Sequence, residues 1–155
     1  MKTQIIVLAA LCTITMGLNT SCSKKLQTAF PTPASPLRVA SHPGAKVFIV
    51  EPKNGQTMTS PVTVKFGMEG IELAKAGEVK ENSGHYHLLI DLETLPPLDQ
   101  ALPFNDHVLH FGQAQTETAV QLSPGPHTLQ LILAAGNHVP HNPPVISEKI
   151  TINIQ

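Results

Sequence analysis

The chain is predicted to be all-β and to form a single immunoglobulin-like antiparallel β-sandwich of about seven strands. Short runs rich in β-branched residues and leucine recur along its last two-thirds, several of them with alternating polar and apolar positions. Pro, Gly, Asn and Ser separate the runs, and no segment has the spacing of a convincing amphipathic helix. These features favour two packed sheets. The predicted strands are residues 46–50, 62–66, 85–92, 110–111, 116–122, 127–134 and 146–154.

The first three strands have distinct sequence signals. Residues 46–50 form a mostly apolar run that ends before a proline and an Asn-Gly turn. In residues 62–66 every second position is apolar, so one face can pack against a core. Residues 85–92 follow an Asn-Ser-Gly sequence, and their alternation places Leu88 and Ile90 on the face opposite to two histidines.

The last four strands complete the pattern. Residues 110–111 can form only a short strand, whereas residues 116–122 and 127–134 alternate and are joined by a Ser-Pro-Gly-Pro turn. Residues 146–154 end in isoleucines at every second position. Short strands in this order match the strand sequence of an immunoglobulin-like sandwich.

The N-terminal segment predicts export. A lysine at position 2, an apolar run and small residues before Cys22 are typical of a signal peptide over residues 1–21, which is too short to be a stable membrane span. The residues around Cys22 resemble the cleavage box of bacterial lipoproteins, which predicts lipid attachment there and a location on the periplasmic face of a bacterial membrane. The alternative is an ordinary secretory signal with an incidental cysteine.

Residues 22–43 are predicted to be a Pro-rich tether, and residues 44–155 to be the folded domain. The only other cysteine, Cys12, leaves with the signal peptide, so no internal disulfide is expected. The formal net charge is −1 and no basic stripe is present, which argues against nucleic-acid binding. The membrane, reached through the lipid anchor, is the one predicted partner.

Histidine is concentrated in the folded domain, where seven of the eight histidines lie. An immunoglobulin-like strand order brings five of them to one end of the sandwich, and imidazole is a preferred ligand of zinc and copper. The sequence therefore predicts a metal site for copper or zinc, although hydrogen bonds to backbone groups of the loops are a structural alternative. The candidate ligands are His85, His87, His110, His138 and His141.

The remaining histidines are assigned other roles. His127 begins the sixth strand, at the opposite end of the sandwich, and is predicted to be structural, tying down the preceding turn. His107 is ambiguous, and His42 is expected to be solvated within the tether.

Five ordered segments carry a recognisable pattern, at residues 62–68, 84–91, 110–112 with 115–118, 124–131 and 138–144. Together they resemble the bacterial DUF4399 family of exported domains of unknown function. Two departures from the family pattern are visible: Gly84-His85-Tyr86-His87 stands where Gly-His-His-His is common, and Asn137 follows Gly136 where an aspartate is usual. The resemblance implies a compact exported domain and gives no activity.

Three functional interpretations remain open. The first is an envelope lipoprotein that binds a transition metal. The second is an envelope interaction or structural protein whose histidines are structural, and the third is a metal-dependent redox enzyme of the superoxide-dismutase type. The sequence lacks a supported nucleophile motif and a glycine-rich phosphate loop, so a non-enzymatic protein is favoured and no catalytic residue is assigned.

Overall fold

The computed structural model describes residues 38–78 and 80–155, which form nine β-strands and no helix. No helix long and apolar enough to cross a membrane occurs among these residues. The predicted signal peptide, Cys22 and most of the predicted tether lie outside them. The strands are β1 (Lys46–Glu51), β2 (Thr57–Met58), β3 (Val62–Glu69), β4 (Glu72–Leu73), β5 (Ser83–Ile90), β6 (Val108–Phe111), β7 (Glu117–Val120), β8 (Gly125–Ala134) and β9 (Ile150–Ile154).

The strands are divided between two sheets. One sheet has the order β1-β3-β7, and the other has the order β2-β9-β8-β5-β4, with β6 also paired to β5. The seven longer strands pair antiparallel and correspond to the seven predicted strands, while β2 and β4 each add two residues in parallel pairs. The predicted all-β sandwich is confirmed, with the fourth long strand beside the third, as in variable-type immunoglobulin sheets.

The main core lies between the two sheets and follows the predicted alternation. Val62, Val64 and Phe66 of β3 are buried against residues of β5 and β8. Phe66 packs its ring 5.1 Å from the ring of Tyr86 and 4.8 Å from that of Phe111. Tyr86 therefore belongs to the core, on the face of β5 opposite to His85 and His87.

A second apolar layer covers the outer face of the larger sheet. All eight residues of β5 are buried, because the connection between β5 and β6 folds back over this face. Leu102 of that connection is buried with Leu89 and Ile132, and Leu92 and Leu98 pack beside them. The outward-facing side chains of β5 therefore lie under a loop and away from solvent.

The folded part begins before the predicted boundary at residue 44. Ser41 and Val39 exchange backbone hydrogen bonds with Asn142, at 3.2 and 2.9 Å. The Nε group of Arg38 donates to the Pro140 carbonyl at 3.0 Å, and its Nη2 group donates to the carbonyl of His141. The last residues assigned to the tether thus brace the β8–β9 connection.

Candidate metal centre

Three histidines lie on the outer face of the larger sheet, on the neighbouring strands β5 and β6. His87 and His110 are directly opposite each other across the two strands, and His85 is two residues before His87 on the same face. The ring centroids are 4.9 Å apart for His85 and His87, and 5.0 Å from each of these to His110. Strand register alone therefore assembles three imidazoles.

A fourth imidazole comes from the tight turn at residues 135–139, between β8 and β9. The Ala135 N–H donates to the Val139 carbonyl at 3.1 Å, and the His138 N–H donates to the Ala135 carbonyl at 2.8 Å. His138 has a φ of 65°, a left-handed conformation that histidine adopts more readily than most residues with a side chain. Its ring lies 5.0 Å from that of His85 and 4.9 Å from that of His110.

The nitrogens of three of these rings are close enough to share a metal ion. One nitrogen each from His85, His110 and His138 lies within 4.8 Å of the other two. In a tetrahedral zinc site with Zn–N bonds of about 2.05 Å, neighbouring nitrogens are about 3.3 Å apart. A tetrahedral site therefore requires these nitrogens to approach one another by at most about 1.5 Å. His87 lies deeper, its ring 6.3 Å from that of His138.

The imidazoles of this cluster lack the hydrogen bonds that buried histidines normally make. Both ring nitrogens of His85, both of His87 and Nε2 of His110 are buried without a hydrogen-bond partner among the described residues. An unsatisfied buried polar group costs about 1–3 kcal/mol, so a purely structural network would be expected to satisfy these atoms. Within the described part of the chain, these five ring nitrogens are instead buried without a hydrogen-bond partner.

Burial keeps these imidazoles neutral. Together with a smaller effect of the neighbouring histidines, it lowers the pKa of His85 to about 4 and that of His87 to about 2. Burial and the adjacent His138 also lower the pKa of His110. A neutral imidazole is the form that binds a metal ion, so no proton has to be removed from these residues near pH 7.

His141 lies beside the cluster with its ring nitrogens directed at the backbone. Its Nε2 group donates to the Ser83 carbonyl at 3.1 Å, and its Nδ1 atom is 3.5 Å from the Leu133 oxygen. The group of three close nitrogens does not include it. The His141 side chain therefore links the segment between β8 and β9 to the start of β5, where His85 lies, by a hydrogen bond.

His127 lies outside the cluster, as the strand order predicts. Its Nδ1 group donates to Asp91 Oδ2 at 2.7 Å and its Nε2 group to the Ser123 carbonyl at 2.8 Å. These two acceptors raise its pKa, the hydrogen bond to Asp91 contributing most. The contacts join the turn before β8 to the end of β5, and the structural role of His127 stays a prediction.

The other two histidines also lie apart from the four rings. The Nδ1 group of His107, which is exposed overall, donates to the Ile90 carbonyl at 3.0 Å. His42 is exposed.

Sequence reasoning missed two residues that shape the site. The Phe104 ring stacks 4.7 Å from that of His110 at an interplanar angle of 30°, and lies 5.3 Å from that of His138. Gly112 leaves room for His110, because a Cβ there would lie 2.3 Å from Cε1 and 2.6 Å from Nε2 of that ring. The sequence marks these residues only as an aromatic side chain in a Pro-rich loop and a glycine two residues after a histidine.

The donor set is made of neutral nitrogens alone. Among the described residues, the group that could hold a metal ion contains three histidines and neither carboxylate nor thiolate. Imidazole nitrogen suits zinc, copper and nickel and is a poor choice for magnesium or calcium. The arrangement therefore has the ligand type that suits a transition metal.

Comparison with known proteins identifies a family. The family model described as "Domain of unknown function (DUF4399)" matches residues 64–155, which include every histidine of the cluster and most of both sheets. No curated protein and no solved structure gives a significant match.

Proposed function

This chain belongs to the DUF4399 family, and we propose that it is a cell-envelope protein that binds one copper or zinc ion through His85, His110 and His138. The observation that carries the proposal is the set of five buried ring nitrogens without hydrogen-bond partners. A metal ion bound to one nitrogen each of His85 and His110 would offset part of the free energy that the burial of these nitrogens costs.

The same observation favours metal binding over purely structural histidines. A histidine that holds loops together donates to a carbonyl, as the rings of His141, His127 and His107 do. The rings of His85 and His87 contact other histidines instead. One protein therefore contains both kinds of histidine, and their hydrogen bonding distinguishes them.

The remaining histidines of the proposed site have different parts. His87 is the fourth imidazole, close to His85 and His110, and is positioned to complete a four-nitrogen site after a small displacement. We assign His141 a supporting role. Its hydrogen bond to the Ser83 carbonyl fixes the start of β5, the strand that carries His85 and His87. Partners that orient the ligands of a metal commonly affect its affinity by tenfold or more.

The proposed location rests on the sequence alone. The predicted signal peptide over residues 1–21 and the lipoprotein-like box at Cys22 support a location on the periplasmic face of a bacterial membrane, with the protein held by a lipid. In such a compartment the metal site is presented on a short tether beginning at Cys22, within reach of ions in the periplasm.

The experiment is a titration of tag-free, metal-free protein with copper and zinc, comparing the wild type with two variants. His138→Asn removes one imidazole while retaining a residue that tolerates positive φ, so the turn is preserved. His107→Asn removes an imidazole that the site does not use. We expect one ion per wild-type chain, unchanged affinity in the His107 variant and a loss of tenfold or more in the His138 variant. Equal affinity in all three proteins would contradict the proposal.

A further inference from the structure

We infer that this site selects a soft monovalent cation, copper(I), and that Phe104 is part of its binding surface. The inference rests on the proposed function, because it specifies the ion and adds a residue to the site. It is carried by the charge of the donor set, by the burial of the cluster and by the position of the Phe104 ring.

The donor set supplies no negative charge to balance a bound ion. The close group consists of three imidazoles, with no carboxylate or thiolate in that group among the described residues. The charges with the largest effect on the pKa of His85, His87 and His110 belong to other histidines. The three ligands therefore leave the charge of a bound cation uncompensated.

The free energy of removing an ion from water rises with the square of its charge, so a divalent ion costs about four times as much as a monovalent one. Carboxylate or thiolate ligands usually offset that cost for zinc and copper(II), and here the ligands are neutral. His85 and His87 are 0% exposed, which makes the surroundings of the cluster a low-dielectric environment. Copper(I) carries a single charge, and copper is among the metals that imidazole nitrogen binds.

A divalent ion with three histidine ligands normally completes its shell with water or hydroxide, and hydroxide would supply the missing charge. The position of Phe104 disfavours a metal-bound water or hydroxide. Its ring lies against His110 and His138, the two residues of the close group that are partly exposed, and so takes up space that a metal-bound water would need beside them. Copper(I) accepts low coordination numbers and needs no such water.

Phe104 is also placed to interact with the cation directly. It is the most exposed large apolar side chain among the described residues, at 59%, yet its ring is in contact with the histidine cluster. Its loop is held there, since the Leu102 N–H donates to the His138 carbonyl at 3.0 Å. The face of an aromatic ring attracts a cation within about 6 Å, most effectively where water is excluded.

The first test compares ions on the whole tag-free protein under anaerobic conditions. Copper(I) affinity is measured by competition with a chromogenic copper(I) chelator, silver(I) serves as a redox-stable monovalent probe, and zinc and copper(II) are measured by competition in parallel. We expect one copper(I) or silver(I) per chain, bound at least about a hundredfold more tightly than zinc. Tighter binding of zinc or copper(II) than of either monovalent ion would overturn the inference and leave the proposed function standing. Failure of every ion to bind would instead refute the proposed function.

The second test concerns Phe104 and uses substitutions that retain the cover. Phe104→Leu keeps an apolar side chain over the site without the aromatic ring. Phe104→Trp replaces the ring by an indole, which attracts a cation more strongly. We expect the leucine variant to bind silver(I) about two- to thirtyfold more weakly and the tryptophan variant to bind it at least as tightly as the wild type. The indole fluorescence of the tryptophan variant should change on silver(I) addition, since the chain contains no other tryptophan. Unchanged affinity in the leucine variant, with unchanged indole fluorescence, would remove Phe104 from the site.

Discussion

Acidification should destabilise the metal-free protein steeply just below neutral pH. Burial and neighbouring histidines hold the pKa of His85 at about 4 and that of His87 at about 2, against 6.5 for an unperturbed imidazole. Below pH 6.5 the unfolded chain therefore binds two protons that the folded chain does not. Stability falls as pH decreases through this window, until about pH 4 for His85 and about pH 2 for His87.

The magnitude follows from the linkage relation. Each group contributes a loss of about 1.2 kcal/mol between pH 7 and pH 5.5, so the pair accounts for about 2.5 kcal/mol. The lowered pKa values of His110 and His141 add to the loss. The pKa of His127 is raised, so its stabilising contribution is already fully present below pH 6.5. It therefore cannot reverse the loss of stability as the pH falls further.

Urea unfolding of metal-free protein at pH 7 and pH 5.5 measures the effect, with His87→Leu as the matched control. The leucine removes two unsatisfied nitrogens, so this variant should be at least as stable as the wild type at pH 7 and should lose about 1.2 kcal/mol less than the wild type at pH 5.5. A wild-type stability that is equal or greater at pH 5.5 would refute the claim that these imidazoles are buried, neutral and unpartnered.

Three further predictions test other parts of the account. His127→Ala should lower the free energy of unfolding by about 1–2 kcal/mol in urea, through loss of the bonds to Asp91 and the turn, without changing metal affinity; the opposite pattern would make His127 a ligand. Gly112→Ala should weaken metal binding measured by titration, because the new methyl group displaces the ring of His110 while every histidine remains; unaltered affinity would count against His110 as a ligand. Cys22→Ala should release a folded protein from membranes on fractionation, and a variant that stays fully membrane-bound would contradict the lipoprotein assignment.

The fold could be predicted because its signals are local. Alternating side chains and turn residues define each of the seven longer strands, and the observed strands lie within a few residues of the predicted ranges. The pairs formed by β2 and β4 could not be predicted in this way. Each spans two residues and depends on a distant partner, so no periodicity marks it.

The histidine cluster was predictable only in part. Strand alternation placed His85 and His87 on one face, and strand order brought His110 and His138 near them. The burial of the cluster was not predictable, because the covering β5–β6 connection is irregular and has no repeating pattern. His141 could not be separated from the other candidates by sequence, since its bond to the Ser83 carbonyl depends on three-dimensional position.

The central claim is that the outer-face histidines bind a transition metal. The most direct measurement is thermal unfolding of the tag-free protein with and without copper or zinc, for the wild type and for His85→Ala/His87→Ala. A metal ion at a hundred times its dissociation constant should add about 2.7 kcal/mol of stability and raise the melting temperature of the wild type by roughly 10 °C. The account predicts that shift in the wild type and none in the double variant. A wild-type protein whose melting temperature is unchanged by copper in either oxidation state and by zinc at neutral pH would contradict it.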